Sequence, residues 1–406
     1  MIKALMTGFV VALAAPTFAQ APPPPAPGFA ERLPANRHSI SFEGGRLSGP
    51  GAALLTRAMT DSQFFMIGEQ HGTATIAEIA AAFHRDAAGL GYTHAAMEIG
   101  PASGVEVERL IRSGPGRLAA HLRTPAYSFA VAFLFWAEET ALAEQFVAAS
   151  PARRDAIWGL DQEFVGALPL LLPRLDALAR TADQRAALAA LSARAATEQT
   201  ALGQMPAADL EPLRLAFATD ADPAAATMVA DLILSNRIYA PFTGRGGSGL
   251  EANQLRETYM KQNFQRRFEA AERAEGRPPR VILKFGANHV MRGFSTTNVA
   301  SLGNFIAEWG LSRGFAATNI FIDCVGGEQN DPRTGANSPC ESALPADSPL
   351  RTMMLDAPLT LFDLRPLRAP RLVDSLDQRT RRIVLAFDFF LPVRNPRAAT
   401  PLAPPR

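Results

Sequence analysis

Short apolar runs that stop at an ionisable residue alternate, along this chain, with longer stretches of helical spacing. Phe64-Phe65-Met66-Ile67 is short enough for a buried strand. It ends at Gly68, and Glu69, Gln70 and His71 follow at once. Ile76, Ile79, Ala80 and Phe83 then recur on one face of an alanine-rich helix. Gly89 and Gly91 close that helix, since glycine is free to take positive φ. A second apolar run, Ala95-Ala96-Met97, ends in Glu98. The pattern predicts a βαβ unit with ionisable residues at both strand exits. In open parallel sheets, ligands bind at those exits.

The same grammar continues downstream. Ala156–Leu160 predicts a third strand, ending at Asp161. Val281–Phe285 predicts a fourth, running into Gly286-Ala287-Asn288-His289. Ile320–Ile322 and Ile383–Phe387 predict later strands, with an irregular segment, Gly326–Asp347, between them. Gly51–Met59, Val105–Ile111 and Phe129–Ala149 have helical spacing. From Val165 to Arg273 the spacing is helical throughout, with Ala and Leu dominant and no strand signal.

These elements predict an α/β fold: a mainly parallel central sheet flanked by helices, with a large helical insertion. The expected organisation is a signal peptide at 1–19, a proline-rich leader at 20–35 and a first part of the α/β core at 36–164. The helical insertion follows at 165–275, as a cap over the strand exits or a separate helical domain. A second part of the core spans 276–392, and 393–406 is a flexible tail.

Composition changes this picture in three places. Lysines and arginines number 40 against 39 acidic residues, net +1, so nothing marks a nucleic-acid partner. Lys3, the apolar stretch Ala4–Ala15 and the small residues Thr17 and Ala19 fit an export signal cut before Gln20. That apolar stretch is too short to cross a bilayer, so the mature chain is expected in a periplasm or outside the cell, without a membrane span. In such an oxidising place Cys324 and Cys340 are expected to form a disulfide. It would close a loop of about 15 residues, worth up to about 3 kcal/mol.

The candidate chemistry lies at the strand exits: Glu69 with His71, Glu98, Asp161 and His289. Parallel strands would bring these residues to one cleft. The spacing Gly68-x-x-His71 recurs as Gly286-x-x-His289. Glycine allows a tight turn at each exit, and a neutral imidazole beyond it can take a proton from water or bind a metal. Glu69 and Glu98 can orient the imidazoles, accept a proton or complete a metal shell. Asp161 reads equally as an N-cap of the following helix. Lys284 interrupts an apolar strand and is expected to snorkel or sit at an edge. His38, His84, His94 and His121 have no partner pattern. Ser103 and Ser128 lack the setting of a nucleophile elbow.

Gly68-Glu69-Gln70-His71-Gly72-Thr73, Met97-Glu98, Gly159-Leu160-Asp161 and Gly286-Ala287-Asn288-His289 together resemble the motifs of the erythromycin esterase-like superfamily. That superfamily includes the Tiki, TraB-like and ChaN-like proteins. Arg256-Glu257-x-x-Met260-x-x-Asn263 resembles the R-D-x-x-M-x-x-N helix of its esterase branch, with Glu replacing Asp. The resemblance spans roughly Gln63 to Gly293. It implies a hydrolase of ester, lactone or amide carbonyls, acting on a small molecule or peptide. His71 would activate water, with Glu69 and Glu98 in support and His289 as second catalytic imidazole. Arg256, Asp161 and Asn288 would contact substrate. Tiki members are divalent-metal-dependent proteases, which leaves open a metal held by His71, His289, Glu69 and Glu98. ChaN-like members bind haem or another hydrophobic ligand without catalysis, but no haem-ligating tyrosine is placed to support that role.

Overall fold

The computed structural model describes residues 28–150, 153 and 155–403. The expected signal peptide and the first half of the leader, residues 20–27, lie outside the described residues. The leader's last part is not extended: Phe29–Arg32 is a helical turn, and Phe29 and Leu33 are buried in the core.

The strands are β1 (Arg37–Glu43), β2 (Arg46–Ser48), β3 (Phe64–Glu69), β4 (Tyr92–Met97), β5 (Ile157–Gly159), β6 (Arg280–Gly286), β7 (Ala317–Val325), β8 (Glu328–Asn330), β9 (Asn337–Pro339), β10 (Leu359–Asp363) and β11 (Phe389–Arg394). Nine of them form one sheet in the order β2-β1-β10-β11-β7-β3-β6-β4-β5, while β8 and β9 pair separately. From β11 to β5 every neighbouring pair is parallel. The pairs β10–β11, β1–β10 and β1–β2 are antiparallel.

β3 lies near the middle, between β7 and β6. Both of its faces are covered, which is why its sequence is continuously apolar rather than alternating. Phe65 and Ile67 enter the core on one face, and Phe64 and Met66 enter the core on the other. β6 divides likewise, with Ile282 on the first face and Val281, Leu283 and Phe285 on the second. Because the strands run parallel, their carboxyl ends emerge together.

Several local expectations are corrected. Ile383–Phe387 is not a strand; the helix Gln378–Ala386 covers most of it. A short apolar run is ambiguous by itself. Here Asp377 decides for helix, its Oδ1 accepting from the N–H groups of Arg379 and Thr380. The last strand is instead Phe389–Arg394, disguised by Pro392. The helix expected over Phe129–Ala149 begins only at Ala137. The tail is paired as far as it is described. Thr73 bridges Ala398, Trp136 bridges Pro401, and the Ala399 N–H donates to the Gly72 carbonyl at 2.9 Å.

Between Leu168 and Glu275 the described residues form helices and turns only, the last being the long helix Gly249–Glu275. Cys324 and Cys340 form a disulfide. Among the described residues no helix is long and apolar enough to cross a membrane.

Candidate active site

The strand exits meet. Glu69 is the last residue of β3, Glu98 follows β4, Asp161 lies just past β5, and His289 sits in a short helix, Ala287–Val290, directly after β6. His71, Glu98, Asp161, Arg256, Asn288 and His289 line a single cavity of about 850 Å³.

Glu98 is the hub. One carboxylate oxygen accepts from the Gly286 N–H at 2.6 Å and lies 3.6 Å from His71 Nε2. The other accepts from Arg256 Nη2 at 2.9 Å and lies 3.3 Å from His289 Nε2. Each imidazole is held from behind by a second carboxylate. His71 Nδ1 is 2.9 Å from Glu69, and His289 Nδ1 is 2.6 Å from Glu257.

Gly286 is needed for this closeness. A Cβ there would lie 2.5 Å from His71 Nε2. Gly72, at φ 86°, turns the chain after His71, and a Cβ there would meet the Asn330 carbonyl at 2.7 Å. The His71 ring stacks on Phe133 at 4.2 Å, 18° from parallel. Phe133 has φ 64°, in the left-handed region that an aromatic residue rarely enters. That backbone is part of the irregular stretch standing where a helix was expected.

Lys284 departs from the sequence expectation. It is neither at an edge nor snorkelling, because β6 is an interior strand. Its ammonium is buried, 2.6 Å from Glu69 and 2.8 Å from both oxygens of Glu139. Glu139 comes from the helix Ala137–Ala149 on the same side of the sheet.

The charges follow from this packing. Burial alone would raise the carboxyl pKa of Glu69, but Lys284 and His71 outweigh it and hold the group below its usual range. Glu98 is buried too, yet His289, His71 and Arg256 hold it well below that range. Burial pushes Glu139 up to about 7 despite Lys284. Both imidazoles move upward against the effect of burial. His71 is raised by Glu69 and Glu98, and His289 is raised to about 9, against Arg256 as well, by Glu98 and Glu257.

Arg256 and Asp161 form a two-toothed pair, Nε to Oδ1 at 2.9 Å and Nη2 to Oδ2 at 2.5 Å. Asp161 Oδ1 also accepts from the next N–H, that of Gln162. Asn288 lines the cavity, its Oδ1 accepting from Thr296 Oγ1 at 2.8 Å. The helix motif around Arg256 is accounted for residue by residue. Arg256 holds Glu98, Glu257 holds His289, Met260 is buried, and Asn263 donates to the Leu160 carbonyl at 2.8 Å.

Sequence reasoning missed Glu139, Glu257 and Phe133, and misjudged Lys284. Glu257 carried a usable signal, since it stands inside the Arg256 motif. A lysine within an apolar run was a signal for Lys284. Phe133 had none.

The remaining histidines do not line this cavity. Burial pushes the His84 pKa down to about 4, with Nδ1 on the Ala80 carbonyl, and burial with Arg153 pushes His94 to about 3. Gly310-Leu311-Ser312-Arg313-Gly314 has the spacing of a nucleophile elbow, but Ser312 ends a helix and donates to the Trp309 carbonyl. The elbow joins a strand to a helix.

The donor set does not fit a divalent metal. No three His, Cys, Asp or Glu side chains among the described residues are grouped to hold one. Glu69 and Glu98, the expected acidic ligands, are engaged by Lys284 and Arg256.

No protein-family model matches the sequence, and no curated protein sequence matches it. Solved structures do share its architecture. A Bacillus cereus protein superposes with a TM-score of 0.59 at 14% identity, covering 92% of this chain and 98% of its own. A succinoglycan biosynthesis protein gives 0.62 at 15% identity, covering 92% and 97%. A mutant of the erythromycin esterase EreC in its open conformation gives 0.61 at 15% identity, covering 90% and 98%. The chain thus has the erythromycin esterase fold, as its motifs led one to expect. At these identities the likeness is one of fold.

Proposed function

We propose that this protein is a hydrolase in which His71 activates water against an ester, lactone or amide carbonyl. The observation that carries the reading is Glu98 between two imidazoles, 3.6 Å from His71 Nε2 and 3.3 Å from His289 Nε2.

Glu69 accepts the Nδ1 proton of His71, which leaves the Nε2 lone pair facing the cavity as a base. Lys284 keeps Glu69 ionised, so the imidazolium that forms is stabilised. Water loses a proton to His71 Nε2 as its oxygen bonds to the carbonyl carbon. The carbonyl oxygen takes the electron pair and becomes an oxyanion. His289, protonated at neutral pH, and Arg256 supply positive charge to it. The carbon–oxygen or carbon–nitrogen bond then breaks, and the leaving group takes the proton from His71. Tyr239 and Arg256, from the helical stretch 165–275, line the same cavity, which supports a capping role for that stretch. The Cys324–Cys340 disulfide supports export to an oxidising compartment.

The test is turnover of an ester, lactone and peptide library by His71→Ala and Glu98→Gln. Loss of a general base lowers kcat by about 10²–10⁴-fold. Unchanged turnover in both variants sinks the assignment.

A further inference from the structure

The cavity has a cationic wall that the carbonyl chemistry does not use. Arg379 and Arg382 line it from the helix Gln378–Ala386. Three residues apart, they share one helix face. Neither guanidinium has a hydrogen-bond or ion-pair partner among the described residues. Arg381, between them, pairs with Asp374 at 3.1 Å.

The carboxylates lining the cavity cannot serve as counterions, because each is already engaged. Glu69 holds Lys284 and His71, Glu98 holds Arg256 and the Gly286 N–H, and Asp161 holds Arg256. Much of the remaining wall is aromatic: Phe133, Phe164, Phe321 and Phe387. Phe387 ends the arginine-bearing helix and stacks on Phe321 at 5.2 Å. It also reaches the exit of β3, where a Cβ on Gly68 would lie 3.3 Å from its ring. At the usual helical rise, Arg382 and Arg379 stand about 8 and 12 Å along the axis from Phe387. That is the length of a modest acyl chain.

We infer that the substrate has an apolar body and a carboxylate end, which Arg379 and Arg382 grip while the reacting carbonyl lies at His71. A guanidinium matches a carboxylate geometrically, with two parallel hydrogen bonds. The position of the carbonyl rests on the hydrolytic reading above; the grip on the anion does not.

Two assays separate the parts. In the first, mono-4-nitrophenyl glutarate is compared with 4-nitrophenyl valerate, esters of equal acyl length with and without a carboxylate. The native protein prefers the charged ester by about tenfold in kcat/KM, the scale of one charge-assisted contact. The double variant Arg379→Ala/Arg382→Ala loses that ratio, and Arg381→Ala keeps it. In the second, calorimetry compares 4-phenylbutyrate with 4-phenylbutanol. The acid binds about tenfold tighter to the native protein, less so as salt rises, and no tighter than the alcohol to the double variant. If neither ester is turned over but this binding preference appears, hydrolysis fails and the anion site stands. Equal binding of acid and alcohol, or a preference that survives in the double variant, overturns the proposal.

Discussion

The His289–Glu257 contact makes a quantitative prediction about pH. His289 is raised from its ordinary value of 6.5 to about 9, because Glu98 and Glu257 outweigh burial and Arg256. The folded value lies above the unfolded one. Below about pH 6.5 both states are protonated and the stabilisation is fully present. Between 6.5 and about 9 the unfolded chain has lost the proton while the folded chain keeps it, so stability falls as pH rises. At about 1.36 kcal/mol per pH unit the whole fall is roughly 3 kcal/mol. Glu139 and Glu163 are also raised, by burial, to about 7, and His71 is raised by Glu69 and Glu98, so these groups add to the fall in part of the window and the His289 share is read as the difference between native and variant. The perturbation is Glu257→Gln, which removes the carboxylate 2.6 Å from Nδ1. A hydrogen bond to a charged group is worth about 1.5–3 kcal/mol, so His289 should drop by about one to two pH units. Denaturant unfolding at steps from pH 6 to 9.5 measures it. Of the native protein's loss across that range roughly 3 kcal/mol belongs to His289, and in the variant that share falls to about half or less. In the pH profile of kcat/KM, the falling limb moves from near 9 to about 7–8. Identical pH dependence in native and variant proteins, or stability that rises between pH 7 and 9, refutes the reasoning.

Two further outcomes are expected. Lys284→Met leaves Glu69 and Glu139 buried without their cation. It should cost about 3–5 kcal/mol in thermal or denaturant unfolding, and a loss below about 1 kcal/mol would mean that the cluster is not held as described. Gly286→Ala puts a methyl 2.5 Å from His71 Nε2, and displacing a base by about 1 Å costs about 10²-fold in kcat/KM. A crystal structure of that variant with His71 unmoved and full activity would count against His71 as the base.

The sheet's spine was legible because its strands are buried on both faces. Phe64–Ile67 is apolar without interruption and Val281–Phe285 is broken only by Lys284, and such runs announce themselves. β1 and β10 were not: they mix polar with apolar residues and, like β11, carry no βαβ signature. Ile383–Phe387 misled because four or five apolar residues suit a helix face and a strand equally; Asp377, outside the run, settled it. The tail was expected to be loose from its prolines, yet the backbone of Ala398 and Ala399 found partners at Gly72 and Thr73.

The chain alone determined which residue types stand at the strand exits. Glycine, histidine and glutamate are written there at spacings that local backbone geometry makes meaningful. Tertiary structure decided which of them share charge. Glu139 lies 145 residues before Lys284, and Glu98 is 188 residues from the Gly286 N–H that it accepts. No local pattern encodes such distances, because a buried charge is tolerated only beside its partner, and partners are chosen by packing.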